Sequence, residues 1–344
     1  MAKAYVTKAL PYNILQEDAY AASNNQAADQ YAVTAGAKTP EKRLCALFEA
    51  MGYTAHGMAG NYYHLRVRLL ADVWSIDGFM DYKINTGARI FENNWVGFKH
   101  FSMFFNAPEF YTVMRNTIII SLLKFLIGFP APIILALMLN EIRQMMFKRI
   151  VQTITYLPHF MSWVIVAGLV GSMLSTENGS INILLQKINL IDDPVNFLSI
   201  PEYFWSILIS ANVWKEIGFG SIVYLAAIAG VDQSMYEAAD IDGASKFKQI
   251  FLITLPTIMP VIVIFMILAI GSLLSAGFED ILLLAENPVL RPVSDVIDTY
   301  VYRVGLSNFR YSYATAVGLF KAVISIGLLT MANYLARKSG NSLW

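Results

Sequence analysis

One cysteine in 344 residues, Cys45, excludes an internal disulfide framework and any thiolate-rich metal site. The four histidines, His56, His64, His100 and His159, stand without ligand spacing, and no H-E-x-x-H occurs. No G-x-x-x-x-G-K-[ST] phosphate loop is present, so ATP hydrolysis is not expected of this chain, and no G-x-S-x-G nucleophile elbow appears. Charge is scarce, at 15% of residues against about 25% in soluble domains. The 25 basic and 25 acidic residues cancel, which gives no argument for nucleic acid. No catalytic residue, metal site or cofactor of its own is therefore expected. What fills the space is apolar: 56% of residues are hydrophobic and the mean hydropathy is +0.50, which places the chain in lipid.

Five runs are long and apolar enough to cross about 30 Å of hydrocarbon. They lie near Asn116–Leu139, Ile150–Leu174, Tyr203–Ala226, Thr257–Phe278 and Tyr313–Leu335. Small residues among the Ile, Leu and Val suit helices that pack on one another in a membrane. Pro130 and Pro132 predict a kink in the first run. Basic residues in short connections set orientation. Arg143, Lys148 and Arg149 follow the first run, Lys246 and Lys248 precede the fourth, and Arg337 and Lys338 end the fifth. These three sites agree on the cytoplasmic side, so Ser175–Glu202 and Glu279–Ser312 are expected outside.

The same alternation puts residues 1–110 outside, yet no preceding span carries them across. The first residues hold no apolar core of leader length, so no cleaved signal peptide is expected. Residues 1–110 mix Ala, Asn, Gln, Gly and Tyr without helical or strand period, and 1–80 form an atypical segment. Two readings stand for this atypical segment: a reading-frame shift a few codons before Asp81, replacing a first membrane helix, or a divergent soluble extension. The remaining expected divisions are an extracytoplasmic lead-in over 81–115, a transmembrane domain over 116–338 and a cytoplasmic tail over 339–344.

Residues 232–256 interrupt the apolar pattern with a polar, helix-forming cassette. Ser234 and Glu237 have capping-box spacing, with Asp232 a competing cap two residues earlier, so a short helix is predicted from about 233. Gly243 supplies the backbone freedom for a sharp turn. Phe247, Ile250 and Phe251 then share one helical face, while Lys246 and Lys248 point elsewhere. Leu255-Pro256 is expected to stop this second helix and start the next span. An ordinary amphipathic connector at the membrane surface would satisfy the local pattern as well.

Glu237-Ala238-Ala239, three residues, Gly243, nine residues, then Ile253, Leu255 and Pro256 resemble the signature of permease subunits of binding-protein-dependent ABC importers. Asp242 and Ala244 flank its glycine. Between about Asp81 and Lys338, phrases such as Tyr156-Leu157-Pro158-His159, Trp214-Lys215-Glu216 and Tyr224-Leu225-Ala226-Ala227 are similar to the oligosaccharide-uptake branch of Gram-positive bacteria. The resemblance implies an all-α integral membrane protein of the type I permease fold, with five recognisable helices of a six-helix plan and a cytoplasmic coupling-helix loop. It implies a place in the bacterial plasma membrane with the C-terminus cytoplasmic. The implied partners are a second permease of a different sequence, two ATPase subunits that hold the ATP and Mg, and an extracellular sugar-binding lipoprotein. Glu237, Ala238, Ala239, Asp242, Gly243, Ala244, Ile253, Leu255 and Pro256 would form the ATPase-docking element.

Candidates for the substrate pathway are Lys124, Asn212, Trp214, Lys215 and Glu216. Aromatic faces stack on sugar rings and charged groups bond hydroxyls. The structural alternatives are an ion pair between helices for Lys124, interhelical bonding for Asn212, and a structural role for at least one of Lys215 and Glu216. Adjacent residues do not share a helix face. Lys321 and a satisfied His159 read as structural; Glu279-Asp280 would either touch the binding protein or begin a solvated loop. Two further readings remain beside the transporter: a frameshifted, non-assembling product, and a membrane scaffold without ATPase coupling.

Overall fold

Hydrocarbon offers a backbone no water to bond, so a chain crossing it closes its hydrogen bonds within helices. The computed structural model describes residues 77–81 and 94–338, all within one unit, Ser75–Trp344. In chain order the helices are α1 (Lys99–Phe105), α2 (Phe110–Leu123), α3 (Pro130–Glu141), α4 (Met145–Tyr156), α5 (Trp163–Leu174), α6 (Ser180–Lys187) and α7 (Pro201–Ala229). There follow α8 (Gln233–Ile241), α9 (Lys246–Gln249), α10 (Leu255–Gly271), α11 (Glu279–Leu284), α12 (Arg291–Ser294), α13 (Ile297–Tyr302) and α14 (Tyr311–Arg337). The expected all-α content is modified by one short antiparallel pair, β1 (Met80–Asp81) with β2 (Asn94–Trp95). Its Met80 carbonyl lies 3.1 Å from His100 Nε2, and Gly78 packs against Ala316 of α14. Residues 77–80, the end of the segment that reads as atypical, belong to this unit. The readings made for 1–76, 82–93 and 339–344 concern positions outside the described residues.

Among the described residues, Phe110–Glu141, Lys246–Gly271 and Tyr311–Arg337 are helical rods long and apolar enough to span a membrane. Two bent pairs bring the number to five, as the sequence pattern predicts. The second predicted span is not straight: Met145–Phe160 meets Trp163–Leu174 at 106°. Pro158 lies in the intervening turn, Met161 and Ser162 are extended, and Ser162 caps α5 through the Ile165 amide. The fourth span ends at Gly271 rather than Phe278.

Pro256 acts differently from expectation. Two wide, five-residue π turns, Lys124–Gly128 and Ile250–Thr254, each end two residues before a proline, Pro130 and Pro256. A proline cannot donate and its ring crowds the carbonyl four residues back. The wide turn shifts that carbonyl, so both rods continue and Pro256 terminates nothing.

Helix α7 is central. It packs along α3 and touches α2, α4, α10 and α11. Ile120, Phe204, Leu208, Ile281, Leu284 and Leu290 form one buried cluster; Phe104, Val113, Ile297, Tyr300, Tyr313 and Val317 form another. Both draw on the 279–307 segment, which the sequence reading placed in an outside loop. This segment packs beside the first half of α2 and the start of α14.

Charges inside the bundle are paired. Lys124 Nζ bonds Asp280 and donates to the Ala276 carbonyl at 2.6 Å. Lys321 pairs with Asp298, and Arg303 with Asp295. Lys124 is thus an interhelical tie that also lines a cavity of about 220 Å³ with Ser121, Ser272 and Ser275, and Asp280, 3% exposed, is no contact for an outside protein. Gly277 makes the tie possible: its φ is +109°, and a Cβ there would lie 2.3 Å from Asp280 Oδ1 and 2.6 Å from Lys124 Nζ.

Breaking such a pair leaves one buried charge without a partner. Asp280→Asn and Gly277→Ala should each destabilise the detergent-solubilised protein by about 3 kcal/mol. The paired change Lys124→Met with Asp280→Leu should recover most of that loss. Thermal unfolding of the four proteins measures it.

Candidate functional site

The polar cassette folds as a hairpin of two short helices between α7 and α10. Helix α7 closes at Gly230, and α8 leaves it at 73°. Asp232, in extended conformation, caps α8: its Oδ1 accepts from the Ser234 amide at 2.9 Å. That bond holds the Asp232 carboxyl below the ordinary carboxylate range. Of the two caps legible in the sequence, the earlier one is used, and the Ser234–Glu237 box is not.

The end of α8 is a Schellman turn. The Ala244 amide reaches the Ala239 carbonyl at 2.9 Å, and the Gly243 amide reaches Asp240 at 3.1 Å. Gly243 takes φ +71°, which side-chain-bearing residues rarely adopt, yet no heavy atom lies within 4 Å of where its Cβ would sit. The glycine is required by backbone conformation, not by crowding. Ser245, again extended, caps α9 at the Lys248 amide.

The signature residues divide by depth. Glu237, Ala238, Asp242, Gly243 and Pro256 are exposed, while Ala239 and Ala244 are half-buried. Ile253 and Leu255 turn inward and, with Tyr236, pack on Ala136, Tyr224, Ile228 and Ile258. The outer group is free to meet a partner; the inner group roots the hairpin in α3, α7 and α10. The most exposed apolar residue of the tip, Ile241 at 87%, was not singled out in the sequence because it occupies an unspecified position of the signature. Phe247, Phe251 and Leu252 continue that exposed apolar surface.

A polar clasp crosses the turn. Asp240 accepts from the Gln249 side-chain amide and, at 3.3 Å, from Lys246 Nζ. Lys246 also donates to Gln249 Oε1 at 2.7 Å, and Gln249 Nε2 reaches the Ala244 carbonyl at 3.3 Å. The Gln249 amide first, then the Lys246 ammonium, holds the Asp240 carboxyl below its usual range. Lys246, expected to face headgroups or a partner, is engaged here instead. Tyr236 and Thr254 add a hydroxyl pair at 2.8 Å.

The substrate-pathway candidates do not converge. Lys215 is buried, donates to the His159 carbonyl at 2.7 Å and lies over the Trp163 ring. Glu216 meets His159 Nδ1 at 2.8 Å and lies 3.5 Å from Lys215 Nζ. The two neighbours share one cluster after all, because long side chains reach around the helix. His159, stacked on Phe219, joins them at the α4–α5 bend. Asn212 is half-buried. Trp214 is open, as is the Glu216 side chain, and it stands between clefts of about 440 and 740 Å³. Ser206 and Ser210 line both clefts.

Residues 128–340 match the family model described as "Binding-protein-dependent transport system inner membrane component". Protein LplB of Bacillus subtilis (strain 168) is 45% identical over 260 residues, 76% of this chain and 80% of that protein. The polygalacturonan/rhamnogalacturonan transport system permease protein YteP of the same organism is 45% identical over 269 residues, 78% and 82% of the two chains. Among solved structures, a bacterial ABC transporter involved in the import of the acidic polysaccharide alginate matches with TM-score 0.71 and 42% identity. That match covers 79% of this chain and 89% of the other. The alginate transporter in complex with an alginate pentasaccharide-bound periplasmic protein matches with TM-score 0.70 and 39% identity, covering 84% and 99%.

Because only backbone strain opposes a side chain at 243, Gly243→Ala should cost about 1–2 kcal/mol locally and leave the bundle intact. Gly243→Asn should cost less. Hydrogen exchange of the 239–249 amides should rise several-fold in the alanine variant, with α7 and α10 unchanged.

Proposed function

The chain belongs to the family of binding-protein-dependent transport system inner membrane components, and from that premise we propose that it is the sugar- or oligosaccharide-importing permease of an ABC transporter, coupled to a cytoplasmic ATPase through the 232–256 hairpin. The observation that carries the coupling is the hairpin itself: capped at both helices, rooted by Ile253 and Leu255, and presenting Glu237, Ala238 and Ile241 outward. An exposed apolar and acidic helix tip of this kind suits a groove on another protein. The sugar class is supported by what YteP and the alginate importer are named for, and both of those names describe acidic polysaccharides.

One such subunit supplies half of a pathway. A second permease closes the open face of α7, two ATPase subunits bind ATP and Mg, and a periplasmic or lipoprotein receptor delivers the sugar. The alginate importer solved with its periplasmic protein supports the receptor. The hairpin and the C-terminal Arg337 lie on the cytoplasmic side, in keeping with the basic residues of the connections. Within the pathway, Trp214 with Ser206 and Ser210 is the contact this chain offers a sugar ring. Lys124, Lys215 and Glu216 hold helices together.

Ile241→Asp should weaken capture of the ATPase by about 30-fold, as loss of a central apolar anchor does, with the chain still in the membrane. Cross-linking from Ser234→Cys in a Cys45→Ser background reads this. In proteoliposomes with the receptor, uptake should be ATP-dependent across a panel of neutral and uronate oligosaccharides. Gly243→Trp should abolish uptake and coupled hydrolysis, and unchanged uptake in that variant would refute the coupling role. Trp214→Ala should raise the KM for uptake about tenfold through lost ring contact, leaving hydrolysis without sugar unchanged.

A further inference from the structure

A hairpin that transmits force must not flex at its own turn. The turn at Gly243 is unpacked, since no heavy atom lies within 4 Å of a Cβ placed there. The backbone bonds of the Schellman turn, Ala244 to Ala239 and Gly243 to Asp240, close it locally. Helix α8 joins α7 through only Gly230, Val231 and Asp232. On the other side, α9 runs without interruption through the π turn into α10, a continuous rod from Lys246 to Gly271. A load applied to α8 would therefore rotate it about Gly243 unless something ties it to that rod.

Gln249 is placed to be that tie. It is 3% exposed while Lys246, Phe247 and Lys248 beside it are open to solvent. Its amide is used on both sides: Nε2 donates to Asp240 on α8 and to the Ala244 carbonyl in the turn, and Oε1 accepts from Lys246. A buried amide so engaged is costly to disrupt, because removing one partner strands the others. Asp240 adds charge assistance from two donors. The carbonyl of Gln249 also accepts from Thr254 Oγ1 at 3.4 Å, and Thr254 is itself paired with Tyr236 of α8.

We propose that Asp240 and Gln249 are positioning residues of the coupling hairpin: their clasp locks α8 to the α9–α10 rod, so that movement imposed on the docking surface turns the span instead of bending at Gly243. Neither side chain needs to touch the ATPase for this. The proposal rests on the coupling reading above and adds a separable claim, that docking and transmission depend on different residues. Glu237 and Ile241 serve the first; Asp240 and Gln249 serve the second.

The test uses the whole complex in nanodiscs, with the Cys45→Ser chain as reference. Capture of the ATPase is read by the Ser234→Cys cross-link. ATP-driven movement is read by spin labels at the far ends of α7 and α14 before and after vanadate trapping. Gln249→Ala should capture the ATPase within about twofold of the reference, while the population that moves on trapping falls about tenfold. Gln249→Glu should behave likewise, since it sets two carboxylates against each other. Asp240→Asn combined with Gln249→Glu restores a donor and an acceptor across the turn with reversed polarity, and should recover the movement.

Movement at the reference level in Gln249→Ala would overturn the clasp. So would loss of capture in step with movement and no recovery in the reversed pair, which would mark the residues as merely needed for folding the loop. If the reference chain itself captures no ATPase, the coupling reading falls, and the clasp falls with it.

Discussion

A charge or an open backbone group inside hydrocarbon must find its partner within the protein. Most of this structure follows from that demand. Lys124 reaches Asp280 and a carbonyl, Lys321 reaches Asp298, and Lys215 reaches the His159 carbonyl and Glu216. Apart from the Lys215–Glu216 contact within α7, each bond joins different elements, so the pairs double as cross-links in a setting where apolar contact alone gives helices little reason to associate. The same demand explains the prolines. At Pro130 and Pro256, where a donor is missing, a wide turn redistributes the carbonyls and the rod goes on.

The demand also divides labour along the chain. Intramembrane charge invites a functional reading because it is expensive. Here much of the expense goes into architecture: Lys124, Lys215 and Glu216 tie helices, while Trp214, Ser206 and Ser210 line the larger cleft together with the carboxylate of Glu202. The hairpin follows the opposite pattern. Outside lipid, its polar side chains are free to be spent on shape, and two caps, a left-handed glycine and a clasp specify one geometry for about two dozen residues.

Helix number and type were readable because long apolar runs permit little else in lipid. The hairpin was readable too: a cap near 233 and a glycine turn at 243 are local devices, decided within a few residues. What escaped was tertiary. The 106° bend at Pro158–Ser162 looks, as a string, like one uninterrupted span, because bending changes no hydropathy. The 279–307 segment looks like a loop, because its helices are each shorter than two turns, yet it fills the bundle. Asp280 and Gln249 carried no motif, since a partner 156 or nine residues away is invisible to any local pattern.

From the order of residues alone came the membrane setting, five spans, the absence of a phosphate loop and a bent polar hairpin with the spacing of an ATPase-docking loop. These depend on solvation and on short-range backbone preference, both of which act within one helix or one turn. Folding in three dimensions decided which charges are ties and which face is open, and it placed Ile253 and Leu255 as roots rather than contacts. It also set Gln249 against Asp240. Those outcomes depend on which helices meet, and only the packed bundle brings residue 124 to residue 280 or residue 159 to residue 216.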